Sequence, residues 1–458
     1  MSRERLRDPI HGLIVFDTDN PVDDTDNIAW KLIQTPEFQR LRRIKQLGVS
    51  ELTFPGATHS RFIHSIGVYH NARRLLEVVR RLLSERGEEF NTIIARNVLL
   101  GTLLHDIGHG PFSHAFENAR KALSPDPNIR DHEWFTGKMI KDREGAIFSI
   151  LGEEKAEQVA ALFEPDDPEN IYQSILTSSF DADRLDYLAR DRYMTGVRTG
   201  AIDTDWLLDN LSIHYLKSSQ DGEIYEDSAL IPTFSFKEKG RQAAEDFLLA
   251  RYRLFSQVYL HKTTRGFECI LSALIKKIAI AAREKKSASI GIDGNHPLVR
   301  FLSNEQGLLD DYRRLDDSIA WSAIEILTSS PNALISTLAN RVWNRERLRC
   351  LDVQARYLQP RQLMNADVIL KSTFEAKLGD TVFRDAPSHN LYSSMDGDAT
   401  KAHKIVRIND RNADAIEITK FGDTVIGKTL QSDKRVLRYF FLDDNDFETA
   451  QKKLEQGG

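Results

Sequence analysis

The apolar residues of this chain recur mainly at intervals of three and four positions, the spacing of one helix face, which predicts a mainly α-helical protein. Thr35 and Pro36 are a typical N-cap and first helical residue. The apolar stripe that follows runs to Leu47, and Gly48 is predicted to end this helix. Another helix start is predicted at residues 131–133. Further helices are predicted at residues 60–84, 97–104, 179–191, 242–262 and 270–282.

The pattern changes at about residue 285, where Lys285–Gly291 has the composition of a linker. Beyond it, helical and irregular segments alternate, and three short apolar stretches predict β-strands. These stretches are residues 404–408, 415–418 and 435–442. The sequence therefore predicts a helical core at residues 1–284 and a smaller C-terminal α+β lobe at residues 285–458, which would serve assembly or regulation.

Composition narrows the class of protein. Charged residues make up 28% and hydrophobic residues 41% of the 458 positions, as in ordinary soluble globular proteins. No apolar run reaches the roughly 20 residues that span a bilayer, and no apolar stretch follows the first residues, so membrane insertion and secretion are not expected. The two cysteines, Cys269 and Cys350, exclude a disulfide framework and a cysteine-based zinc site, and they favour a cytoplasmic protein. A net charge of -6 argues against dispersed nucleic-acid binding but leaves a local basic channel open.

A concentration of ionisable residues follows the predicted buried helix at 97–104. Residues 104–117 read Leu-His-Asp-Ile-Gly-His-Gly-Pro-Phe-Ser-His-Ala-Phe-Glu. The glycines and the proline end regular helix within one turn of His105. Buried ionisable groups are costly unless they are paired or bound to a metal. Three imidazoles and two carboxylates at the end of a buried helix therefore indicate a metal or acid–base site rather than a simple helix cap.

Two other predicted helices carry residues that can join this site. Seven of the 13 histidines lie between His59 and His132, and His64 is near the start of the helix at 60–84. In the helix at 179–191, three residues spaced by four share a face, namely Asp183, Tyr187 and Asp191. Its other charges are predicted to form a salt-bridged surface, namely Asp181, Asp186 and Arg190.

The first predicted helix carries four cations, Arg40, Arg42, Arg43 and Lys45. Such a group is often a solvated helix face. Arginine's fork also suits phosphate contact, and the sequence leaves both interpretations open.

Two histidines and two carboxylates from three helices can supply nitrogen and oxygen ligands to a divalent metal. These candidates are His64, His105, Asp106 and Asp183. A site of this kind leaves positions for water and a substrate oxygen, and it can activate water and withdraw charge from a phosphoryl group. The ligand types suit Mn, Fe, Zn or Mg alike, so the sequence does not identify the metal.

The order His64, then His105-Asp106, then Asp183 resembles the H, HD, D signature of the HD-domain phosphohydrolases. Longer strings resemble the deoxynucleoside triphosphate (dNTP) triphosphohydrolases, namely those at residues 38–42, 45–48, 54–57, 60–62 and 105–116. Among these, the chain is most similar to the type joined to a SAM domain in animals and standing alone in bacteria. The resemblance covers about Asp8 to Glu268. It implies an HD-domain helical core that cleaves a dNTP at the α-phosphorus, giving deoxynucleoside and inorganic triphosphate.

The resemblance also implies catalytic roles by position. The metal ligands fall on His64, His105, Asp106 and Asp183, and the acid–base residues fall on His109, His114 and His132. Glu117 stands where relatives have the carboxylate that orients the histidine matching His132. His114 is expected to protonate or stabilise the leaving 5′-oxygen, and His132 with Glu117 to act on the water.

Substrate contacts are implied in the same way. Phosphate contacts fall on Arg61, Arg184, Arg251 and Lys262, which suits a substrate with roughly four negative charges. Sugar contacts fall on Gln46, Leu47, Tyr187, Asp191 and Tyr259. A tyrosine packed against C2′ leaves no room for a ribose hydroxyl, and Asp191 can accept a hydrogen bond from the 3′-hydroxyl.

Many relatives assemble as oligomers and are activated by a nucleotide at subunit contacts. A homo-oligomer, either a dimer or a tetramer, and a nucleotide effector are therefore implied partners. In those relatives an Asp reads guanine and an N-terminal Lys holds phosphate, whereas Gln34 and about Glu4 stand at these places here. Arg42 still matches a phosphate contact. The guanine-nucleotide activator is not carried over to this chain, whose activator differs or is absent.

Two other functions stay open. One is an HD phosphodiesterase or nuclease for single-stranded nucleic acid or a signalling nucleotide, against which the acidic net charge and the sugar-binding set count. The other is a scaffold that senses dNTP without turnover, which has no need of His114, Glu117 and His132.

Overall fold

The computed structural model shows a mainly helical protein with three small sheets, which confirms the predicted class. It describes residues 3–123, 130–164, 169–198, 200–217, 230–304, 308–357, 359–387, 404–409, 415–422, 424, 426 and 436–457. The helices are α1 (Thr25–Ile33), α2 (Pro36–Arg40), α3 (Arg61–Glu85), α4 (Thr92–Leu104), α5 (His114–Lys121), α6 (His132–Ile140), α7 (Ala146–Leu151), α8 (Glu153–Ala160), α9 (Ala182–Thr195), α10 (Thr204–Asp209), α11 (Arg241–Leu254), α12 (Lys262–Arg283), α13 (Pro297–Ser303), α14 (Leu309–Arg313), α15 (Asp317–Leu327), α16 (Ala333–Trp343), α17 (Val353–Arg356), α18 (Pro360–Thr373) and α19 (Asp444–Gly457). The strands are β1 (Arg3–Asp8), β2 (Gly12–Asp17), β3 (Leu211–Lys217), β4 (Leu230–Lys237), β5 (Arg349–Asp352), β6 (Val382–Asp385), β7 (Arg407–Asn409), β8 (Ala415–Glu417) and β9 (Arg438–Phe441). Within these ranges, no helix combines the length and apolarity needed to cross a bilayer.

Three helices form the scaffold of the central part, because α3 packs along both α4 and α9. Leu75 and Val79 of α3 are fully buried in the same core as Leu188 of α9 and Val98 of α4. Burial of each such side chain stabilises the folded state by roughly 1.5–3 kcal/mol. This packing fixes the relative positions of the three helices that carry the predicted metal ligands.

The first predicted helix is shorter than its apolar stripe. Thr35 caps α2 as predicted, since its Oγ1 accepts a hydrogen bond from Phe38 N at 3.4 Å. The chain then forms one 3₁₀ turn at Leu41–Arg43 and becomes extended at Ile44. Ile44 O accepts from Arg61 N at 2.9 Å, so a contact with the start of α3 replaces the helical bond that the periodicity predicted.

Arg40 belongs neither to a solvated face nor to a phosphate contact, the two interpretations that the sequence left open. Its side chain is buried and donates three hydrogen bonds to backbone carbonyls. The acceptors are Leu315 O at 2.6 Å, Ile107 O at 3.0 Å and His109 O at 2.6 Å. Arg40 therefore joins the segment after α4 to the segment between α14 and α15.

The predicted helix at 242–262 is broken near its end. α11 ends at Leu254, and a π-helical turn, Phe255–Tyr259, follows it. His261 is then the N-cap of α12, because its Nδ1 accepts from Thr263 N at 3.2 Å. Lys262 therefore starts a new helix rather than ending the previous one.

The small sheets combine distant parts of the chain. β1 and β2 form a hairpin, β3 and β4 pair with β7 and β8 in the order β3-β4-β7-β8, and β5, β9 and β6 form the third sheet. The three strands predicted near the C-terminus are confirmed as β7, β8 and β9. Arg435, where the third was predicted to begin, lies outside the described residues.

The segment predicted as a linker is packed against the helices around it. Ser287–Ile290 form a 3₁₀ turn, and Ile290 is buried in the core that also contains Leu274 of α12 and Leu338 of α16. The pairing of β4 with β7 likewise joins residues from both sides of position 284. A domain boundary at that position stays a prediction.

Candidate active site

Three helices bring the four predicted metal ligands together. His64 lies in the first turn of α3, His105 and Asp106 follow α4, and Asp183 lies in the first turn of α9. His64 Nε2 lies 3.0 Å from Asp183 Oδ1 and 3.8 Å from Asp106 Oδ2. His105 Nε2 lies 3.3 Å from Asp106 Oδ1 and 3.9 Å from Asp183 Oδ1. The donor atoms of His64, His105 and Asp183 are close enough to hold one cation between them, and Asp106 adjoins this group.

Two contacts position the residues that directly follow α4. His105 Nδ1 lies 2.8 Å from Thr102 O, which leaves Nε2 to face the carboxylates. Gly108 approaches α6 so closely that a Cβ atom there would lie 2.0 Å from His132 O. Only glycine fits this contact, and the contact brings the motif at 105–117 against the helix that starts at His132.

His64 is oriented by a buried network that the sequence did not reveal. Asp186 Oδ2 lies 2.7 Å from His64 Nδ1, and Asp186 Oδ1 lies 2.6 Å from His11 Nε2. Arg190 donates to both oxygens of Asp186, at 2.7 and 2.8 Å, and forms an ion pair with Asp8 at 2.9 Å. The hydrogen bond at Nδ1 fixes the ring of His64 and leaves Nε2 for the metal position.

The predicted salt-bridged surface on α9 is therefore wrong. Asp181, Asp186 and Arg190 are each at most 1% exposed. Asp181 caps α9 by accepting from Arg184 N at 2.8 Å, and the other two form the buried ion pair described above. Both faces of α9 are charged, so the spacing of its charges could not show which face the packing with α3 buries.

Replacing Asp186 by asparagine is expected to weaken metal binding by about 10–100-fold, the usual effect of losing a group that orients a ligand. It should also lower the free energy of unfolding, by at most roughly 3 kcal/mol, because the buried Arg190 loses one of its two charged partners and keeps Asp8. Metal titration and urea unfolding measure the two effects. Asp209→Asn is the matched control, since that residue pairs with Arg81 on the surface. Unchanged metal affinity would contradict the orienting role.

The donor set fits a bound cation. His64 Nε2 is buried without a hydrogen-bond partner in the described part of the chain. Burial lowers the pKa of His64, but Asp183 and Asp186 outweigh it and raise that pKa to about 10. Burial likewise opposes the ionisation of Asp106, whose pKa is nevertheless held well below its ordinary value by Arg61. The position between these groups therefore favours positive charge, which either a proton or a metal ion can supply.

A second group of ionisable residues adjoins the first. His109 Nε2 lies 3.3 Å from Asp106 Oδ1, and the ring of His109 stacks on that of His132 with centroids 3.9 Å apart. His132 Nδ1 lies 2.7 Å from Glu117 Oε1. The more exposed His114 lies 3.5 Å from the other oxygen of Glu117. The three predicted acid–base histidines and Glu117 therefore form one cluster at the edge of the metal-ligand group.

The pKa values of the residues in this cluster are shifted in different directions. Burial and then Arg61 lower the pKa of His109 well below its ordinary value, which keeps that ring neutral. Burial also lowers the pKa of His132, but its bond to Glu117 outweighs this and raises the pKa. Although burial raises the pKa of Glu117, His114 and His132 bring it well below its ordinary value. The His132–Glu117 pair can therefore take up and release a proton beside a neutral imidazole.

Arg61 links the two groups. Its Nη1 donates to Asp106 Oδ2 at 2.6 Å, and its Nε and Nη2 donate to Ser113 Oγ at 3.1 and 3.0 Å. Ser113 directly precedes α5, which starts at His114. Arg61 thus holds a metal-ligand candidate and the start of α5 at once.

The predicted sugar contacts form a separate group around Asp191. Tyr259 OH donates to Asp191 Oδ2 at 2.6 Å, and His59 Nε2 lies 2.8 Å from Asp191 Oδ1. The ring of Tyr187 lies 6.3 Å from that of Tyr259, centroid to centroid. Tyr259 ends the π-helical turn after α11, a deviation that is frequent at functional sites. Gln46 lies beside this group, since Gln46 N donates to His59 O at 3.0 Å, and Leu47 follows it in the chain.

The predicted phosphate contacts divide into two sets. Arg184 is paired with Asp181, whereas Arg251 makes no ion pair among the residues described. Both arginines present a buried Nε, and Gln46 presents a buried Oε1, without a hydrogen-bond partner in the same ranges. Lys262 lies elsewhere, in the wall of a cavity of about 410 Å³. That cavity is otherwise lined by Thr263, Gly266, Phe267, Arg347, Leu348, Arg349, Cys350 and Phe440, so it shares no other residue with the predicted site.

Sequence reasoning missed three residues that touch the site: Asp186, His11 and His59. The spacing of Asp186, three residues after Asp183, places it on a neighbouring part of the same helix surface and could have suggested a contact with α3. His11 lies 175 residues before Asp186, and no local pattern predicts that contact. His59 was counted only as part of the histidine-rich region.

Comparison with known proteins identifies the family of this chain. The HD-domain pattern matches residues 61–191, a segment that includes all four candidate ligands. The uncharacterized protein YwfO of Bacillus subtilis is 34% identical, over 82% of this chain and 77% of its own length. A protein from Gallus gallus named deoxynucleoside triphosphate triphosphohydrolase SAMHD1 is 28% identical, over 71% of this chain and 52% of its own.

A crystal structure of a phosphohydrolase from Bacteroides thetaiotaomicron has the same fold, with a TM-score of 0.71 at 23% identity. The alignment covers 96% of this chain and 100% of that one. The long alignment with YwfO, the HD-domain match and the SAMHD1 relatives confirm the resemblance noted in the sequence. The chain belongs to the HD-domain family of phosphohydrolases that includes the deoxynucleoside triphosphate triphosphohydrolases named SAMHD1.

Proposed function

We propose that this protein hydrolyses dNTPs at the α-phosphorus and releases deoxynucleoside and inorganic triphosphate. One observation carries the choice of substrate: buried polar atoms of Gln46, Arg184 and Arg251 lack hydrogen-bond partners in the described residues. Unpaired buried atoms also occur elsewhere in the described residues, but these three adjoin the group around Asp191, where a polar or anionic ligand would pair them. The relatives named dNTP triphosphohydrolases support the same substrate class.

His64, His105, Asp106 and Asp183 would hold the divalent metal. When bound, the metal supplies Lewis-acid stabilisation of the phosphoryl oxygens and lowers the pKa of an attacking water. The carboxylates of Asp106 and Asp183 balance part of its charge. Asp186 keeps the Nδ1 side of His64 occupied, so that Nε2 stays directed toward the cation.

The His132–Glu117 pair supplies the acid–base group in this proposal. Glu117 holds Nδ1 of His132, which leaves Nε2 to exchange a proton with the water. His114 is the most exposed of the three acid–base histidines, with 70% of its side chain accessible. It can therefore reach the leaving 5′-oxygen of a substrate that binds from the solvent side. The neutral ring of His109 stacks on His132 and limits the directions that His132 can face.

The triphosphate would be bound by three arginines, of which two already have a carboxylate partner in the protein and one has none among the described residues. Arg61 and Arg184 are already paired with Asp106 and Asp181, so much of their charge is balanced within the protein. Arg251 brings a cation with no such partner among the described residues. Burial lowers the pKa of Arg251, a cost that an anionic substrate would offset.

The Asp191 group would select deoxyribose. Asp191 is 1% exposed and is held by both Tyr259 and His59, so its position is fixed before substrate arrives. A fixed carboxylate can accept from the 3′-hydroxyl, while the ring of Tyr259 or Tyr187 packed on C2′ would exclude a 2′-hydroxyl. Ribonucleoside triphosphates are therefore expected to be poor substrates.

The test is turnover of each dNTP, singly and in mixtures, with Mn²⁺ or Mg²⁺, with products separated by ion exchange. Deoxynucleoside and intact triphosphate are expected, and a His105→Ala/Asp106→Ala double variant should form neither. Activity only in mixtures would identify a nucleotide effector, and light scattering with and without dNTP would measure the predicted dimer or tetramer. Tight binding without turnover would favour the sensing scaffold. Release of monophosphate or cleavage of single strands would favour the phosphodiesterase.

A further inference from the structure

Asp317, the first residue of α15, accepts hydrogen bonds from two loops of the candidate site. Asp317 Oδ1 accepts from Phe112 N at 2.8 Å, and Asp317 Oδ2 accepts from Lys45 N at 2.9 Å. Phe112 belongs to the segment that carries His109 and His114, and Lys45 directly precedes Gln46. One carboxylate, 4% exposed, thus joins the acid–base loop to the loop with the predicted sugar contacts.

These bonds do not serve the helix on which Asp317 lies. Asp316 is the N-cap of α15, since its Oδ1 accepts from Ile319 N at 3.2 Å. Asp317 directs both of its oxygens to other segments of the chain. Its role in the fold is therefore to connect loops rather than to start a helix.

The loop held by Asp317 has an unfavourable backbone conformation. Phe112 and Ser113 both have positive φ, 55° and 52°, although neither is glycine. Such conformations persist only where the surrounding structure imposes them. The bond from Phe112 N to Asp317 acts within this turn, and the ring of Phe112 packs edge-on against Trp321 of α15, with centroids 5.5 Å apart.

Neighbouring contacts hold the rest of the segment. Tyr312 OH donates to Gly108 O at 2.7 Å, and its ring stacks on Phe135 of α6 with centroids 3.7 Å apart. Arg40 ties Leu315 O to His109 O. The segment before α15 therefore contacts the acid–base loop at several points along residues 107–113.

We propose that Asp317 is a positioning residue, which holds the Phe112–Ser113 turn and thereby sets where Ser113 and His114 lie in the site. Ser113 Oγ accepts two of the three hydrogen bonds that the Arg61 side chain donates, and His114 starts α5 immediately afterwards. A shift of this turn would move His114 together with Ser113, whose hydroxyl is bonded to Arg61. The kinetic part of the proposal rests on the proposed dNTP hydrolysis.

Asp317→Asn tests the role with little change in shape. An amide can accept only one of the two N–H bonds and turns its own NH₂ toward the other. We expect kcat to fall about tenfold or more, since displacement of a reacting group by about 1 Å can cost 10²-fold. Bound metal should stay close to wild type, and KM should change less than kcat, because the amide can keep one of the two bonds. Asp316→Asn is the matched control, because asparagine is an equally good N-cap, and its kcat should stay within about twofold.

Tyr312→Phe is the second variant, because it removes only the hydroxyl that reaches Gly108 O and keeps the stacked ring. It should lower kcat in the same direction with unchanged metal content. Equal kcat for wild type, Asp317→Asn and Tyr312→Phe would overturn the proposal. A rise in KM at constant kcat would overturn it as well, since that pattern reports lost substrate binding rather than a misplaced acid–base group.

Amide hydrogen exchange tests the same role without any substrate. In Asp317→Asn, segments 44–48 and 107–113 are expected to exchange at least about tenfold faster, while α18 keeps its wild-type rate. Unchanged exchange in both segments would overturn the positioning role even if dNTP is turned over. Absence of turnover by the wild-type protein would overturn the proposed function and leave the exchange result to decide the role of Asp317.

Discussion

Replacing Asp183 by asparagine is expected to lower turnover by at least about 10³-fold, the size of effect seen when a group central to charge stabilisation is removed. Asparagine keeps the size of the side chain and one oxygen but removes a negative charge from the position that His64 and His105 face. A neutral oxygen holds a divalent cation less well, so bound metal per chain should fall as well. Elemental analysis and the ion-exchange assay measure the two losses.

The control for this variant is Asp205→Asn. Asp205 pairs with Arg74 on the surface and is 89% exposed, so the same change of charge there should leave both quantities near wild type. If Asp183→Asn keeps full metal content and turnover, the assignment of Asp183 as a ligand is wrong.

Glu117→Gln is expected to lower kcat by about 10²- to 10³-fold, within the range of general acid–base catalysis. The amide keeps a contact with His132 Nδ1 but no longer stabilises the charged imidazole. The pKa of His132 should therefore fall, because burial, which lowers it, is no longer outweighed by the charge of Glu117. The limb of the pH–rate profile that reports His132 should move to lower pH. Binding of the metal should be unchanged.

The same pair gives a stability change with a defined sign. The folded-state pKa of His132 is raised above 6.5, so its contribution is complete below pH 6.5 and is lost as the pH rises through the folded value. The folded-state pKa of Glu117 is lowered below 4.5, so its contribution is complete above pH 4.5 and is lost at lower pH. The stability difference between wild type and Glu117→Gln should therefore be largest between about pH 4.5 and 6.5.

Glu133→Gln is the matched control, because Glu133 is an exposed neighbour of His132 in the chain. It changes the same charge without touching the Nδ1 bond, so kcat should stay within about twofold of wild type. A pH–rate profile of Glu117→Gln that overlays that of wild type would show that Glu117 does not tune His132.

The sequence predicted those features that depend on short spacing. The run into His105 and the breaking residues after it predicted the end of α4, and the periodicity of residues 60–84 predicted α3 almost to its ends. The motif order also singled out four side chains that the fold brings together. Their proposed roles as ligands stay predictions that the variants above test.

Features that depend on contacts between distant parts of the chain could not be predicted from local spacing. Arg40 has the same local surroundings in sequence as the exposed Arg42, yet it is buried because carbonyls from two distant segments point at it. Periodicity also predicted one helix through Lys262, whereas the break after Tyr259 makes Lys262 the first residue of a new helix; its phosphate contact stays a prediction. For Arg40 the deciding partners lie far away in the chain, where no periodicity can identify them.

The β1–β2 hairpin has a consequence for the order of folding. Asp8 and His11 leave the ribosome well before their partners, because the helix that carries Asp186 and Arg190 is synthesised about 175 residues later. Contacts of such large sequence separation form late and slow the folding of a chain. The β1–β2 hairpin therefore stays without these final partners until α9 has been made. The orientation of His64 is completed only at that step, so a metal ion would meet its full ligand set after most of the HD-domain segment has been translated.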